Sequence, residues 1–340
     1  MILPTAAVPL SILDLSFVRE GEGAREALLD SRTLAQAAER LGYKRFWMAE
    51  HHNMEGIASA ATSVALAFVA GGTNSIRIGS GGIMLPNHSP LVIAEQFGTL
   101  EALFPGRIDL GIGRAPGGDM KTARALRRHL SQEGGDTFPQ DVMELIAYFA
   151  QPDERQAVNA HPGQGLEVPI WLLGSSLYSA QLAAYLGLPF AFASHFAPEH
   201  LFDALAIYRA EFRPSEHLSK PYAAAAINVV VADSDEEAEF LFSSAKLGVY
   251  NMLRGRRLKM QPPCKNVDAD WSPEEKLGVQ SFLKYAFVGS PNTVRRHLEV
   301  FQKHTEVNEV IVSSRIFDLD ARLRSLELLA EVWSEAPIAV

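Results

Sequence analysis

The chain has 340 residues, a net charge of −9 and one cysteine, Cys264. A single cysteine excludes an intrachain disulfide and a cysteine-ligated metal cluster, and the acidic balance argues against binding to nucleic acid or to an anionic membrane. Apolar residues make up 47% of the chain and charged residues 21%, the composition of an ordinary globular protein.

Short apolar runs alternate along the chain with longer amphipathic segments. The runs that predict strands lie at residues 10–17, 45–50, 76–85, 108–114, 169–176, 190–196, 224–231 and 310–314. Helical periodicity follows at residues 25–41, 59–71, 90–103, 141–150 and 179–186, and begins again near 201, 235 and 320.

The eight apolar runs are continuous rather than alternating, which is typical of parallel strands covered by helices on the outside. Eight such units close into a barrel, so the sequence predicts an α/β protein with a (β/α)8 TIM barrel, residues 1–340 forming a single domain. An open doubly wound sheet is the alternative. Two segments without periodicity, residues 115–139 and 254–271, are predicted to be loops inserted at the C-terminal face of the barrel.

The sequence also predicts a cytoplasmic location. The first basic residue is Arg19, so the start of the chain lacks the charged region of a secretory signal. The longest strongly apolar stretch, residues 60–72, is too short to span a bilayer and reads as a buried helix.

Polar residues follow six of the predicted strands, at the end where barrel enzymes keep their active sites. They are Asp14, the run Glu50-His51-His52-Asn53, Ser80-Gly81-Gly82, Gly113-Arg114, Gly174-Ser175-Ser176 and Ser194-His195. This coincidence across six strands indicates an enzyme site more strongly than any one motif does.

Adjacent histidines on a strand point to opposite faces, so His51 and His52 are not expected to bind one metal ion, and no metal site is predicted. One of them, His51, is predicted to face the barrel mouth as a base or hydrogen-bonding group near neutral pH. The alternative is a structural histidine with satisfied hydrogen bonds.

Glycine inside a strand marks a bulge or a close approach of a ligand to the backbone. For Gly81 and Gly82 two interpretations stay open: a flat ring packed against the strand, or a tight bend at the barrel rim. On the first interpretation, a valine at position 82 would intrude into the ring site and block it.

Gly111-Ile112-Gly113-Arg114 is not a dinucleotide fingerprint, because the next glycine, Gly117, breaks the required spacing. Arg114 at a strand end suits a phosphate, with a salt bridge as the alternative. Gly174-Ser175-Ser176, with Ser179 in the following helix, also suits a phosphate, with plain helix capping as the alternative.

Several stretches resemble the luciferase-like monooxygenase family: GYKRFWMAEHHN at residues 42–53, the glycine-rich strand and PGR turn within residues 76–117, and WLLGSSLYSAQLAAYLGLPFAFASHF at residues 171–196. FVGSPNTVRRHL and VNEVIVSSRIFD look like the family's last barrel unit. The resemblance covers nearly the whole chain and looks closest to uncharacterised single-chain bacterial members.

The resemblance implies an FMN-binding barrel in which His51 lies beside the flavin and handles its peroxide, with Glu50 and His52 supporting the pocket. It implies that the flavin ring meets Gly81-Gly82, often through a non-proline cis bond, and that Arg114, Ser175, Ser176 and Ser179 hold the phosphate. Gly113 replaces a cysteine found in true luciferases, which weakens any inference to light emission.

The resulting prediction is a flavin-dependent monooxygenase that uses reduced FMN and O2. Reduced FMN would come from a separate NAD(P)H:flavin reductase, because no nicotinamide fingerprint is visible. The resemblance also implies a homodimer. Three alternatives stay open: hydride transfer with FMN or a deazaflavin on the same barrel, a non-catalytic flavin-binding protein, and a metal-dependent barrel hydrolase.

Overall fold

A computed structural model describes residues 7–115, 120–126, 137–152 and 156–334. The strands are β1 Leu10–Asp14, β2 Arg45–Met48, β3 Arg77–Met84, β4 Ile108–Gly113, β5 Ile170–Gly174, β6 Phe190–Phe192, β7 Ala223–Val231, β8 Ala286–Gly289 and β9 Glu309–Ser313. The helices are α1 Ala24–Arg40, α2 Thr62–Ala70, α3 Pro90–Leu103, α4 Met120–Leu126, α5 Phe138–Phe149, α6 Leu177–Leu186, α7 Leu201–Glu211, α8 Asp235–Leu253, α9 Pro273–Phe282, α10 Pro291–Thr305 and α11 Leu319–Ser334.

Of the nine strands in these ranges, eight form a closed parallel barrel. Strands β1 to β7 pair in chain order, β7 pairs with β9, and β9 returns to β1. At the closure Leu10 lies opposite Val310 and Ile12 lies opposite Val312. The predicted (β/α)8 barrel is therefore confirmed, and the open doubly wound sheet is wrong.

Strand β8 lies outside the barrel and was not predicted. The first half of β7 pairs with β9, whereas its last residues, from Asn228 to Val231, pair with β8. Three of the four residues of β8 are only half-buried. β8 is also only four residues long, shorter than every apolar run that predicted a barrel strand.

The barrel interior is filled differently at its two ends. Near the middle, the Trp47 and Trp171 rings meet edge to face with centroids 5.1 Å apart. Towards the C-terminal end the interior side chains of β6 and β7 include two alanines that line the cavity, Ala191 and Ala226. Such small side chains cannot fill the barrel, so the interior opens into a cavity at the end where the strands terminate.

The N-terminal end is closed by a buried ionic network. Arg45, at the start of β2, bonds to Glu309 Oε1 and to Asp109 Oδ2, both at 2.7 Å. Arg77 adds a second bond to Asp109, at 2.6 Å. The Tyr222 hydroxyl donates to Glu309 Oε2 at 2.9 Å. These charges stabilise one another on the side of the two tryptophans away from the strand ends, and none of the four charged residues lines the cavity described below.

Within the described ranges, no helix combines the length and the apolar character that crossing a membrane requires.

Candidate active site

A cavity of about 700 Å³ opens at the C-terminal ends of the barrel strands, a size typical of small-molecule sites. Of the predicted site residues, it is lined by His51, Gly81, Gly82, Arg114, Gly174, Ser175, Ser176 and Ser179. Glu50 and His52 do not line it. The cavity wall also includes α8 and residues 256–261, which come from the predicted inserted loop. The other predicted loop falls largely outside the described residues.

His51 lies three residues after β2, and its side chain faces the cavity. Its Nδ1 atom is buried and has no hydrogen-bond partner in the described part of the protein. The pKa of His51 is lowered to about 4, mainly by burial and also by the nearby Arg315, and Glu50 opposes this only in part. The imidazole is therefore neutral at physiological pH, so it can donate one hydrogen bond and accept another.

Glu50 and His52 lie behind His51, on the opposite side of the chain, as the strand alternation predicts. Glu50 Oε1 is 2.6 Å from His52 Nε2 and 2.8 Å from His88 Nε2, and Glu50 Oε2 accepts a bond from the Met84 N–H at 3.0 Å. Burial would raise the pKa of Glu50, but these bonds from His88, His52 and Met84 outweigh it and lower the pKa. The hydrogen bonds of this cluster hold Glu50 and His52, the residues on either side of His51, in place.

The groups of Glu50, His52 and His88 offer three potential metal-ligand atoms within 4.8 Å of one another. Two imidazoles and one carboxylate suit zinc or iron. Each carboxylate oxygen nevertheless already has protein hydrogen bonds, so the cluster is satisfied without an ion. Sequence analysis missed His88, although it follows β3 directly after the 3₁₀ turn Leu85–Asn87.

Gly81 and Gly82 are joined by a cis peptide bond, and the register with β4 shifts beside them. A Cβ atom on Gly82 would lie 2.7 Å from the Gly111 carbonyl oxygen, and one on Gly81 would lie 2.7 Å from Leu13 Cδ1. The expectation that a valine at position 82 would intrude into the ring site is therefore wrong. Such a side chain would collide with the backbone of β4, while the glycine backbone itself lines the cavity.

Arg114 and the start of α6 form one corner of the cavity. The Arg114 guanidinium lies 4.3 Å from the centroid of the Tyr178 ring, in the first turn of α6. Ser176 occupies the N-cap position, but its hydroxyl makes no capping hydrogen bond. Plain capping therefore does not account for this serine. An arginine, hydroxyls and a helix N-terminus together have the chemistry that binds a phosphate monoester.

Arg315 and His195 also line the cavity. Arg315 lies two residues beyond β9, and its Nε has no hydrogen-bond partner among the described residues. Burial lowers the pKa of Arg315 to about 10, so it stays cationic at neutral pH. Burial, together with Arg315 and His51, lowers the pKa of His195 to about 3. Sequence analysis named His195 among the strand-end residues but missed Arg315, which repeats the pattern of Arg114, an arginine just after a strand.

Buried polar atoms without partners concentrate in this cavity. The described part of the chain holds eight buried side-chain atoms of this kind. Four of them belong to residues that line the cavity: His51 Nδ1, His195 Nδ1, Ser244 Oγ and Arg315 Nε. Because burying a polar group without a partner is costly, this concentration indicates a wall built for polar ligands.

Residues 8–305 match the family described as luciferase-like monooxygenase. A luciferase-like monooxygenase of Escherichia coli strain K12 is 54% identical over 328 residues, which are 96% of this chain and 98% of that protein. An N-acetyl-S-alkylcysteine monooxygenase of Bacillus subtilis strain 168 is 40% identical over 238 residues, 68% of this chain and 70% of that one.

Two solved structures show the same architecture. Apo-MsnO8 is 37% identical and superposes with a TM-score of 0.89 over 97% of this chain and 100% of that one. The oxygenating constituent of 3,6-diketocamphane monooxygenase from Pseudomonas putida, solved in complex with FMN, is 17% identical, with a TM-score of 0.73 over 96% and 97% of the two chains. At 17% identity the second likeness shows the fold alone.

Proposed function

This chain belongs to the luciferase-like monooxygenase family, and from that premise we propose that it is a flavin-dependent monooxygenase that uses reduced FMN and O2 to oxygenate a small organic substrate. One observation carries the proposal. Along neighbouring strands β2 to β5, the cavity presents in order a neutral histidine, a bare glycine backbone and a corner suited to phosphate.

That order matches the parts of FMN. Arg114, Ser175 and Ser176 would hold the phosphate, and the Gly81–Gly82 backbone would meet the flavin ring. The fit rests on two features of the protein itself: the Ser176 hydroxyl makes no capping bond, and Gly81 and Gly82 both line the cavity. When bound, reduced FMN supplies the electrons that let one atom of O2 enter the substrate and the other leave as water.

We propose His51 as the catalytic residue. Its Nδ1 has no protein partner, so it can hydrogen-bond a reacting group in the cavity and hold or release a proton there. Because its pKa is lowered to about 4, the imidazole begins the reaction neutral, with a ring nitrogen that can accept a hydrogen bond or, as a weak base, a proton. Glu50 and His52 do not reach the cavity; they position His51 through the hydrogen bonds of their cluster with His88.

The remaining wall excludes water. Phe17, Phe196 and Phe282 contribute apolar surface, and residues 256–261 form part of the cavity wall. This segment is held to the barrel by backbone bonds: the Met260 N–H donates to the Val18 carbonyl, and the Glu20 N–H donates to the Met260 carbonyl. A dry site strengthens hydrogen bonds to the reacting groups and limits wasteful release of peroxide.

We further propose that a separate NAD(P)H:flavin reductase supplies reduced FMN, that the enzyme works in the cytoplasm, and that residues 1–340 act as one unit. A homodimer is supported by apolar side chains left exposed on two neighbouring helices: Val64 (69%) and Phe68 (39%) on α2, and Val92 (44%) on α3. Apolar faces of this kind commonly become subunit contacts.

The test is substrate oxidation by protein loaded with reduced FMN, with and without O2. We expect product only when O2 is present, with one O2 consumed per FMN oxidised. Turnover under anaerobic conditions with a hydride acceptor would instead identify a hydride-transfer enzyme. Tight FMN binding without O2-dependent product from a broad panel of aldehydes, ketones, thioethers and carboxylates would identify a flavin-binding protein.

A further inference from the structure

The cavity has an unusual charge for this protein. The chain as a whole is acidic, with 40 Asp and Glu against 31 Lys and Arg. Among the described residues that line the cavity, none is Asp or Glu, whereas five are basic: Arg114, Arg256, Arg257, Lys259 and Arg315. A cleft with one sign of charge and apolar walls concentrates ligands of the opposite sign.

One phosphate cannot account for all five cations. The closed barrel has eight strands in the order β1 to β7 and then β9, so β4 and β9 lie diametrically opposite each other. Arg114 follows β4 and Arg315 follows β9. A phosphate bound beside Arg114 and α6 therefore leaves Arg315 without an anion on the far side of the cavity.

Arg315 also differs from the three basic residues at the rim. Arg256 and Arg257 are exposed, and Lys259 Nζ donates to the Glu22 carbonyl at 2.7 Å. Arg315 is partly buried, and no carboxylate in the described part of the chain forms an ion pair with it. The centroid of the Phe17 ring lies 5.4 Å from the Arg315 Cζ atom. A cation enclosed in this way is stabilised when a ligand brings the missing negative charge.

Building on the proposed function, we propose that Arg315 binds a carboxylate or similar oxyanion of the substrate, so that the enzyme oxygenates organic anions. Strands β9, β1 and β2 are neighbours, which puts Arg315 and His51 on one continuous part of the cavity wall. A substrate anchored at Arg315 extends from there along the apolar wall towards His51. The exposed Arg256 and Arg257 attract the anion to the cavity mouth.

The test compares two probes of the same shape and different charge, octanoate and octanamide. Their binding to the protein loaded with oxidised FMN is measured by calorimetry. Because a hydrogen bond between the Arg315 guanidinium and a carboxylate is charge-assisted, we expect octanoate to bind roughly tenfold or more tightly than octanamide. In Arg315→Gln we expect this preference to disappear, and in Arg315→Lys we expect part of it to remain. Circular dichroism and thermal melting establish that each variant is folded.

The matched control is Arg254→Gln. Arg254 is close in sequence to Arg256 and Arg257, but it pairs with Glu275 at 3.3 Å and does not line the cavity. Its loss should therefore leave the octanoate preference intact. If folded Arg315→Gln keeps the wild-type preference, the proposal is wrong. The proposal is also wrong if Arg315→Gln leaves octanoate binding unchanged and lowers only the affinity for reduced FMN. Arg315 would then pair with the flavin ring instead of the substrate.

Failure of the proposed function gives a different result. In that case the wild-type protein either does not bind FMN, or binds it but gives no O2-dependent product, whatever residue 315 is. The octanoate comparison can still be made on the flavin-free protein. A preference for octanoate that depends on Arg315 there would support the anion site independently of the cofactor.

Discussion

Arg114 stacks its guanidinium over the Tyr178 ring at 4.3 Å, which ties the end of β4 to the first turn of α6. The contact directs the Arg114 side chain towards the start of α6, where the Ser176 hydroxyl makes no capping bond. The contact joins the two elements that we propose to hold the FMN phosphate. It also makes the phosphate assignment directly testable, because FMN and riboflavin differ only in the phosphate.

We expect Arg114→Ala to weaken FMN binding roughly tenfold or more, because a charge-assisted phosphate contact is typically worth about 1.5–3 kcal/mol. Riboflavin binding should change less than twofold, which is also the internal control for folding. Fluorescence quenching titrations with both flavins provide the measurement. An equal loss for the two ligands would place Arg114 elsewhere than at the phosphate.

His51→Asn should preserve folding and FMN binding but lower product formation by about 10²–10⁴-fold, the usual contribution of general acid–base catalysis. Hydrogen peroxide release should rise, because oxygen activation without productive transfer is wasted. Product and peroxide are counted together after mixing protein-bound reduced FMN with O2. The matched control is His200→Asn, an exposed histidine outside the cavity. If folded His51→Asn forms product and peroxide in the wild-type ratio, His51 is not the catalytic residue, and His195 becomes the next candidate.

The acid sensitivity of the protein should depend on His195. Its pKa is about 3 in the folded chain against 6.5 in the unfolded chain. As the pH falls below 6.5, only the unfolded chain takes up this proton, so the free energy of unfolding falls. Between pH 7 and pH 5 this one histidine accounts for about 2 kcal/mol of lost stability. His51, with its lowered pKa, acts in the same direction.

Urea unfolding at pH 7 and pH 5 measures this effect. We expect His195→Asn to be less stable than wild type at pH 7 but to lose less stability on acidification. His200→Asn again serves as the control and should follow the wild type at both pH values. An equal pH dependence in wild type and His195→Asn would mean that His195 is accessible to protons in the folded protein.

We expect the cluster of Glu50, His52 and His88 to hold no metal ion, so that a chelator changes neither the stability of the protein nor its affinity for FMN. Hydrogen bonds of 2.6 and 2.8 Å already join both imidazoles to the carboxylate. We therefore expect thermal stability and FMN affinity to be the same before and after dialysis against EDTA. Elemental analysis of the purified protein gives the second readout. One tightly held metal ion per chain, with a lower melting temperature after its removal, would contradict this expectation.

The ionic network at the other end of the barrel should govern stability without touching the site. Arg45→Met leaves Glu309 and Asp109 buried with one cation fewer, and breaking such a pair typically costs about 3–5 kcal/mol. Urea unfolding measures the loss. Because the network lies below Trp47 and Trp171, FMN affinity in the folded fraction should stay within about twofold of wild type. A loss of less than about 1 kcal/mol would show that Lys44 and Arg77 compensate.

The sequence predicted the barrel well because both faces of each barrel strand are buried, and that burial leaves continuous apolar runs. It could not tell which strand-end polar groups face the cavity. Asp14 turns outward to Ser31 and Arg322, and Ser80 bonds to the Gly111 carbonyl. Side chains on a strand alternate, so an error of one residue at a strand end reverses the assignment.

Arg315 escaped sequence analysis for a related reason. It lies beyond β9, where no periodicity indicates the direction of a side chain, and one arginine in a loop is usually exposed to solvent. Its significance comes from the closed barrel, which puts it opposite Arg114 and among side chains without acidic groups. Only the three-dimensional arrangement shows that its charge is unmatched.

The attachment of residues 256–261 has a consequence for how substrate preference could change over evolution. Met260 is held through main-chain atoms alone, by Val18 and Glu20, and a side chain at Gly56 would come within 2.5 Å of the Leu258 carbonyl. Main-chain bonds do not depend on which side chains the segment carries. Provided that residue 56 stays glycine, mutation can therefore exchange the side chains at positions 256–258 and alter which molecules enter, while the barrel and the proposed phosphate corner are inherited unchanged.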